Sequence, residues 1–274
     1  MKFQIKRLLS QIFIFFSANL GAFGFKTGFC YPFFYCQACP AATSACPLRA
    51  IEQSVYKGSL TWKFLVFPIL TLGFFGVLSG RAVCGWACPI GLLQRVTGKV
   101  ARKLKKYPIV NKLGQHKIEP YLRYIKYLLL IGLVVLTSAL IGFIFTDICP
   151  VGFLTGTIPT LILYPGKFVP NPFFWIALVI FILFLFLIFI VERGWCRYFC
   201  PVGALLAPFN KISFLNVSLA EKDIFEKNCL HCNACSNICP MGIYVQNMNR
   251  DPECILCGKC IEACPKNLIS FRRI

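Results

Sequence analysis

The strongest constraint on this chain is a cysteine run near its end that occurs twice. Cys229, Cys232, Cys235 and Cys239-Pro240 are followed by Cys254, Cys257, Cys260 and Cys264-Pro265, which is C-x2-C-x2-C-x3-C-P in duplicate. In the bacterial two-cluster arrangement the fourth cysteine of each run ligates the other cluster. The spacing predicts one [4Fe–4S] cluster on Cys229, Cys232, Cys235 and Cys264. It predicts a second on Cys254, Cys257, Cys260 and Cys239. Four soft thiolates complete tetrahedral iron without adding positive charge. Two zinc sites of four cysteines each are the alternative, although zinc ribbons use two separated C-x2-C pairs rather than close triplets.

The remainder is too apolar for an ordinary soluble domain. The chain is 57% hydrophobic and 14% charged, with a mean hydropathy of +0.69, against about 25% charged residues in soluble proteins. Four apolar stretches approach the ~20 residues that span a bilayer: Leu8 to Phe25, Phe64 to Val83, Tyr127 to Phe145 and Phe173 to Val191. The stretch Val151 to Tyr164 holds two glycines and Pro159, and reads as re-entrant or interfacial. The first stretch is also open to a reading as a signal peptide, with Lys2, Lys6 and Arg7 as its basic region, but no convincing cleavage site follows. The expected fold class is an α-helical membrane protein with four transmembrane helices in two parallel repeats (residues 1–220), then a cytoplasmic two-cluster ferredoxin-like domain (residues 221–274).

Charge sets the expected orientation. The net charge is +19, and residues 1–11, 81–126 and 192–274 together hold 24 of the 29 Lys and Arg. By the positive-inside rule these segments and both termini are cytoplasmic, in the cell membrane. The tract Lys99, Arg102, Lys103, Lys105, Lys106 reads as a topology determinant touching anionic lipid, not as a nucleic-acid site. Trp62, Trp86, Trp175 and Trp195 all fall at span ends, as an interfacial aromatic belt would place them.

The other cysteines repeat with the spans. Cys84-Gly-Trp-Ala-Cys88-Pro-Ile-Gly follows the second stretch, and Cys196-Arg-Tyr-Phe-Cys200-Pro-Val-Gly follows the fourth. Two such pairs on neighbouring helices could form a third, four-thiolate cluster at the inner face; disulfides or redox-sensing dithiols are the alternatives. On the outer face, Cys36, Cys39, Cys46 and Cys149 could hold a fourth cluster or form disulfides, with Cys30 left over.

Absences exclude other chemistry. The two histidines, His116 and His231, lie outside the spans and read as solvated or packing residues, so a bis-histidine haem is excluded. There is no C-x2-C-H haem attachment and no P-loop or dinucleotide fingerprint. No residue stands out as catalytic.

Cys84-Gly-Trp-Ala-Cys88-Pro, Cys196-Arg-Tyr-Phe-Cys200-Pro and the doubled tail run together resemble the NapH-type membrane ferredoxins, with NosR-type and CcoG-type iron–sulfur proteins similar in part. The resemblance runs from about Thr61 onward. It implies a membrane iron–sulfur electron-transfer subunit, exchanging electrons between the quinone pool and a partner redox enzyme or soluble carrier. An assembly or metal-reducing maturation factor of CcoG type, or a membrane redox sensor, is the alternative. The outer group Cys30, Cys36, Cys39 and Cys46 departs from the nitrate-system pattern, and so leaves the partner open.

Overall fold

A computed structural model describes residues 2–19, 46–58, 61–104, 119–163, 172–248 and 250–273. The described chain is helical, with one small sheet. Its first helices are α1 (Lys2–Asn19), α2 (Pro47–Ser54), α3 (Trp62–Ser79), α4 (Ala82–Trp86) and α5 (Pro89–Leu104). After α6 (Glu119–Leu122) the third apolar stretch is divided: α7 (Ile125–Leu128), a π-helical segment (Leu129–Leu136) and α8 (Thr137–Leu140). Short turns α9 (Pro150–Gly152) and α10 (Ile158–Leu163) flank a second π segment, Phe153–Thr157. The helix α11 (Phe174–Ile190) precedes a third π segment, Trp195–Phe199, and α12 (Pro201–Leu206).

The four-span architecture is not what these residues form. Among the described residues no helix is long and apolar enough to cross a membrane. The reasons are local. At 17 residues and 1.5 Å per residue, α11 reaches only ~25 Å of the ~30 Å hydrocarbon core. The helix α3 contains Pro68 and stops at Gly80, whose φ is +54°. The third stretch runs as one helix only from Ile125 to Leu140, π-wound over Leu129–Leu136, and the chain turns at Gly142, with φ +72°. In α1, Arg7 and Gln11 stand four residues apart on one helical face, both buried and both donating to the carbonyl of Gly85, at 2.8 and 2.9 Å.

The helices nevertheless carry apolar side chains on both faces. In α11, Ala177, Phe181, Phe184 and Ile188 are buried along one stripe, while Leu183 and Phe186 on the other side remain 61% and 65% exposed. Leu70 and Phe74 of α3 and Phe13 of α1 are similarly open. A helix apolar all round normally has apolar neighbours on every side.

The end of the chain builds α13 (Lys222–Asn228), α14 (Ala234–Asn237) and α15 (Lys259–Ala263) around the doubled cysteine run. The strand β1 (Leu215–Leu219) pairs antiparallel with β2 (Ile269–Arg273), Leu215 opposite Arg273 and Leu219 opposite Ile269. The sheet thus joins residues on both sides of position 221. Buried Val217, Met241, Ile243, Val245, Met248, Ile255 and Ile269 form the apolar floor beneath the cysteines.

Candidate functional site

The tail cysteines line two cavities, and each cavity draws its fourth thiol from the other run. Cys229, Cys232, Cys235 and Cys264 surround one of about 370 Å³ of atom-free space, open solvent included, with Phe225, Leu268 and Ile269 on its walls. Cys239, Cys254, Cys257 and Cys260 surround the other, about 350 Å³ on the same measure, against Val217, Met241 and Met248. Four thiols in the wall of each cavity are the donor set that a [4Fe–4S] cluster takes.

The second group is built by the repeated Cys-Pro motif. Cys200 is the N-cap of α12, Cys149 of α9 and Cys46 of α2, each with proline in the first helical position, and Cys88 stands directly before Pro89 of α5. Proline fits there because that N–H has no helical partner to lose. The N–H groups of Gly91, Gly152 and Gly203 favour the thiolate at Cys88, Cys149 and Cys200. Cys84, Cys88, Cys196 and Cys200 are free thiols and all buried. Burial pushes the Cys84, Cys88 and Cys200 thiols up, and their mutual repulsion, with Cys196, pushes them further. The four are therefore within electrostatic reach of one another. Gln94 of α5 donates to Cys196 Sγ at 3.2 Å.

This central group abuts the tail. A Cβ on Gly85 would stand 2.3 Å from the carbonyl oxygen of Ile255. Only glycine lets the Cys84–Cys88 turn lie against the Cys254–Cys257 loop. Trp86 Nε1 donates to the Leu256 carbonyl at 3.0 Å. Arg81 Nη1 donates to Glu253 Oε2 at 2.8 Å, and Lys126 Nζ pairs with Oε1 of the same carboxylate. Burial opposes ionisation of Glu253, yet Arg81 and Lys126 hold its carboxyl below the usual range.

Cys46 and Cys149 were expected on the face opposite the repeat thiols. They line the same apolar cavity as Cys200, together with Pro47, Leu48, Thr146, Val151 and Trp195. Burial pushes Cys149 up to about 12. Beside it, Glu52 is fully buried and accepts from the Thr146 hydroxyl at 2.7 Å; burial raises its carboxyl to about 8. Cys30, Cys36, Cys39 and His116 lie outside the described residues. His231 lines an open cleft with Phe225, Tyr244 and Arg272 rather than either tail cavity.

Reading the motifs as cysteines and prolines alone passed over Arg81, Arg193, Gln94, Lys126 and Glu253. One signal was present: an arginine precedes the first cysteine by three residues in both repeats.

Comparison with known proteins follows the same segments. A profile described as a 4Fe-4S binding domain matches residues 60–108, 172–217 and 235–259, and a second of the same description matches 250–270. An uncharacterized protein of Methanocaldococcus jannaschii is 35% identical over 98% of this chain and 96% of its own length. The ferredoxin-type protein NapH of Escherichia coli is 27% identical over 82% of this chain and 73% of its own. The methylamine utilization ferredoxin-type protein MauN of Methylobacillus flagellatus is 28% identical over 69% of this chain and 58% of its own. No solved structure matches. With its thiol-lined cavities and these relatives, the chain belongs to the NapH-type family of ferredoxin-type, 4Fe-4S electron-transfer proteins.

Proposed function

We propose that this chain is the electron-transfer subunit of a quinone-linked redox complex, passing single electrons between the quinone pool and a partner redox protein. Cys229, Cys232, Cys235 and Cys264 would hold one [4Fe–4S] cluster, and Cys239, Cys254, Cys257 and Cys260 a second. Cys84, Cys88, Cys196 and Cys200 would hold a third. The 4Fe-4S profile match over both Cys-x3-Cys-Pro segments supports that third set. Cys46 and Cys149, with Cys36 and Cys39, are the candidate ligands of a fourth. Bound clusters supply one-electron sites whose potentials the protein sets through charge, hydrogen bonds and burial.

The observation that carries this reading is the contact of Gly85 and Trp86 with the Ile255–Leu256 loop. It sets the Cys84–Cys88 turn against the Cys254–Cys257 loop. On the other side, Cys200 shares a cavity with Cys46 and Cys149. Both contacts support a relay of short tunnelling steps through these groups. The exposed apolar faces of α3 and α11 suit contact with lipid or an apolar subunit, and through either with quinone. The small residue set near Glu52 and Thr146 offers a buried carboxyl beside the Cys46–Cys149 end, where quinol chemistry would release protons.

The test is reduction of the oxygen-free protein by a quinol analogue, followed by paramagnetic resonance. Cluster signals that grow with quinol, and are lost in the Cys196→Ser protein for the central set, support the proposal. Clusters that dithionite reduces but no quinol analogue does would overturn the quinone assignment.

A further inference from the structure

Each repeat carries more than its cysteines. Arg81, Cys84, Cys88 and Gly91 in one repeat match Arg193, Cys196, Cys200 and Gly203 in the other, at identical spacing. The two arginines are exchanged. Arg81 Nη2 donates to the carbonyl of Cys196 at 3.3 Å, and a Cβ on Gly203 would stand 3.0 Å from that nitrogen. Arg193 Nη1 donates to the carbonyl of Cys84 at 3.1 Å, and its Nη2 to Gly91 at 3.3 Å. Both side chains are buried, at 0% and 2% exposure.

Burying a cation without a counter-charge is expensive. Arg81 and Lys126 share the single carboxylate of Glu253, so that triad keeps one net positive charge. Among the described residues no carboxylate pairs with Arg193, whose partners are carbonyl oxygens. Two uncompensated positive charges therefore face the four central thiols. Four thiolates around an oxidised [4Fe–4S] core carry a net double negative charge, and one-electron reduction makes it triple.

We infer that Arg81 and Arg193 form a counter-charge pair for a cluster on Cys84, Cys88, Cys196 and Cys200, each arginine tied to the other repeat's backbone and the two together raising the cluster's reduction potential. Arg81 also reaches its own repeat's Cys84 thiol. The inference rests on the reading of those four cysteines as cluster ligands. Buried cations stabilise the more negative, reduced form. The Gln94 hydrogen bond to Cys196 Sγ acts in the same direction. The small residues Gly91 and Gly203 leave room for the guanidinium groups to cross.

The test is a redox titration of the full chain, purified without oxygen and followed by paramagnetic resonance. Cys196→Ser first identifies the central signal; if it removes no iron and no signal, the ligand reading itself fails. Given that signal, Arg193→Gln shifts its midpoint negative by at least a tenfold change in the reduction equilibrium, about 59 mV for one electron. Iron content and the signal of the cluster on Cys229, Cys232, Cys235 and Cys264 stay unchanged. Arg193→Lys restores most of the shift. Glu253→Gln, which frees a further positive charge while keeping the side chain's shape, moves the central midpoint the other way. An unmoved midpoint in Arg193→Gln overturns the inference, as does a lysine variant no better than glutamine. Should Arg193→Gln not fold, Glu253→Gln decides alone, and a central midpoint that fails to rise overturns the inference.

Discussion

The first tail cavity and the central thiol group contain the same four cysteines' worth of sulfur, but they are assembled in opposite ways. In the tail, Cys229, Cys232 and Cys235 come from one short run, Cys232 is exposed, and solvent stands close. In the centre, two pairs from distant repeats meet, every thiol is buried, and the surrounding charge comes from Arg81, Arg193, Lys126 and Glu253. Water can screen a charged group at the first site. At the second, the protein itself must supply the compensation. Two sites of one inventory can thus hold different potentials, as an electron relay requires.

The sharpest way to break this comparison is to remove the thiol that joins the two tail runs. Cys264→Ser is expected to abolish the cluster on Cys229, Cys232 and Cys235 and to leave the one on Cys254, Cys257 and Cys260. Paramagnetic resonance checks it, and selective loss of the second signal would reverse the cross-ligation. A milder change separates the regions mechanically. Gly85→Ala drives a methyl group into the Ile255 carbonyl, and should cost roughly 1–3 kcal/mol in denaturant unfolding, the usual range for overpacking. Cluster content should survive, while electron exchange between the central and second tail clusters slows.

The smallest expected effect is a pH dependence at the Cys46–Cys149 end. Burial raises the Glu52 carboxyl from 4.5 to about 8, so the folded state binds its proton more tightly than the unfolded chain does. That contribution to stability is complete below about 4.5 and is lost as pH rises toward about 8. Thermal unfolding between these limits should show Tm falling with pH, and Glu52→Gln should flatten the slope. An identical slope in the variant would remove Glu52 from the account.

The tail was the most legible part of the sequence, because its ligands are close together and their spacing carries the geometry. The Cys-Pro motifs were legible as helix starts for the same reason: proline in the first turn is a local preference. The helices were legible in part. An apolar count over Tyr127 to Phe145 does not reveal the π segment Leu129–Leu136 or the turn at Gly142. The stretch Phe173 to Val191 matches the helix Phe174–Ile190 to within one residue at each end, but its apolar count over-reads that helix as one able to cross a membrane. The arginines were hidden differently. Arg81 and Arg193 sit at the edges of apolar stretches, where a charge reads as a topology signal; only the fold brings each against the other repeat's cysteine.

The central claim is that this polypeptide holds a cluster on its repeated motif besides the two in its tail. Iron and acid-labile sulfide, counted per chain in oxygen-free protein with and without Cys196→Ser, test it most directly. The account predicts about twelve irons or more, since each cubane holds four, with about four lost in the variant. About eight irons in both proteins would contradict it.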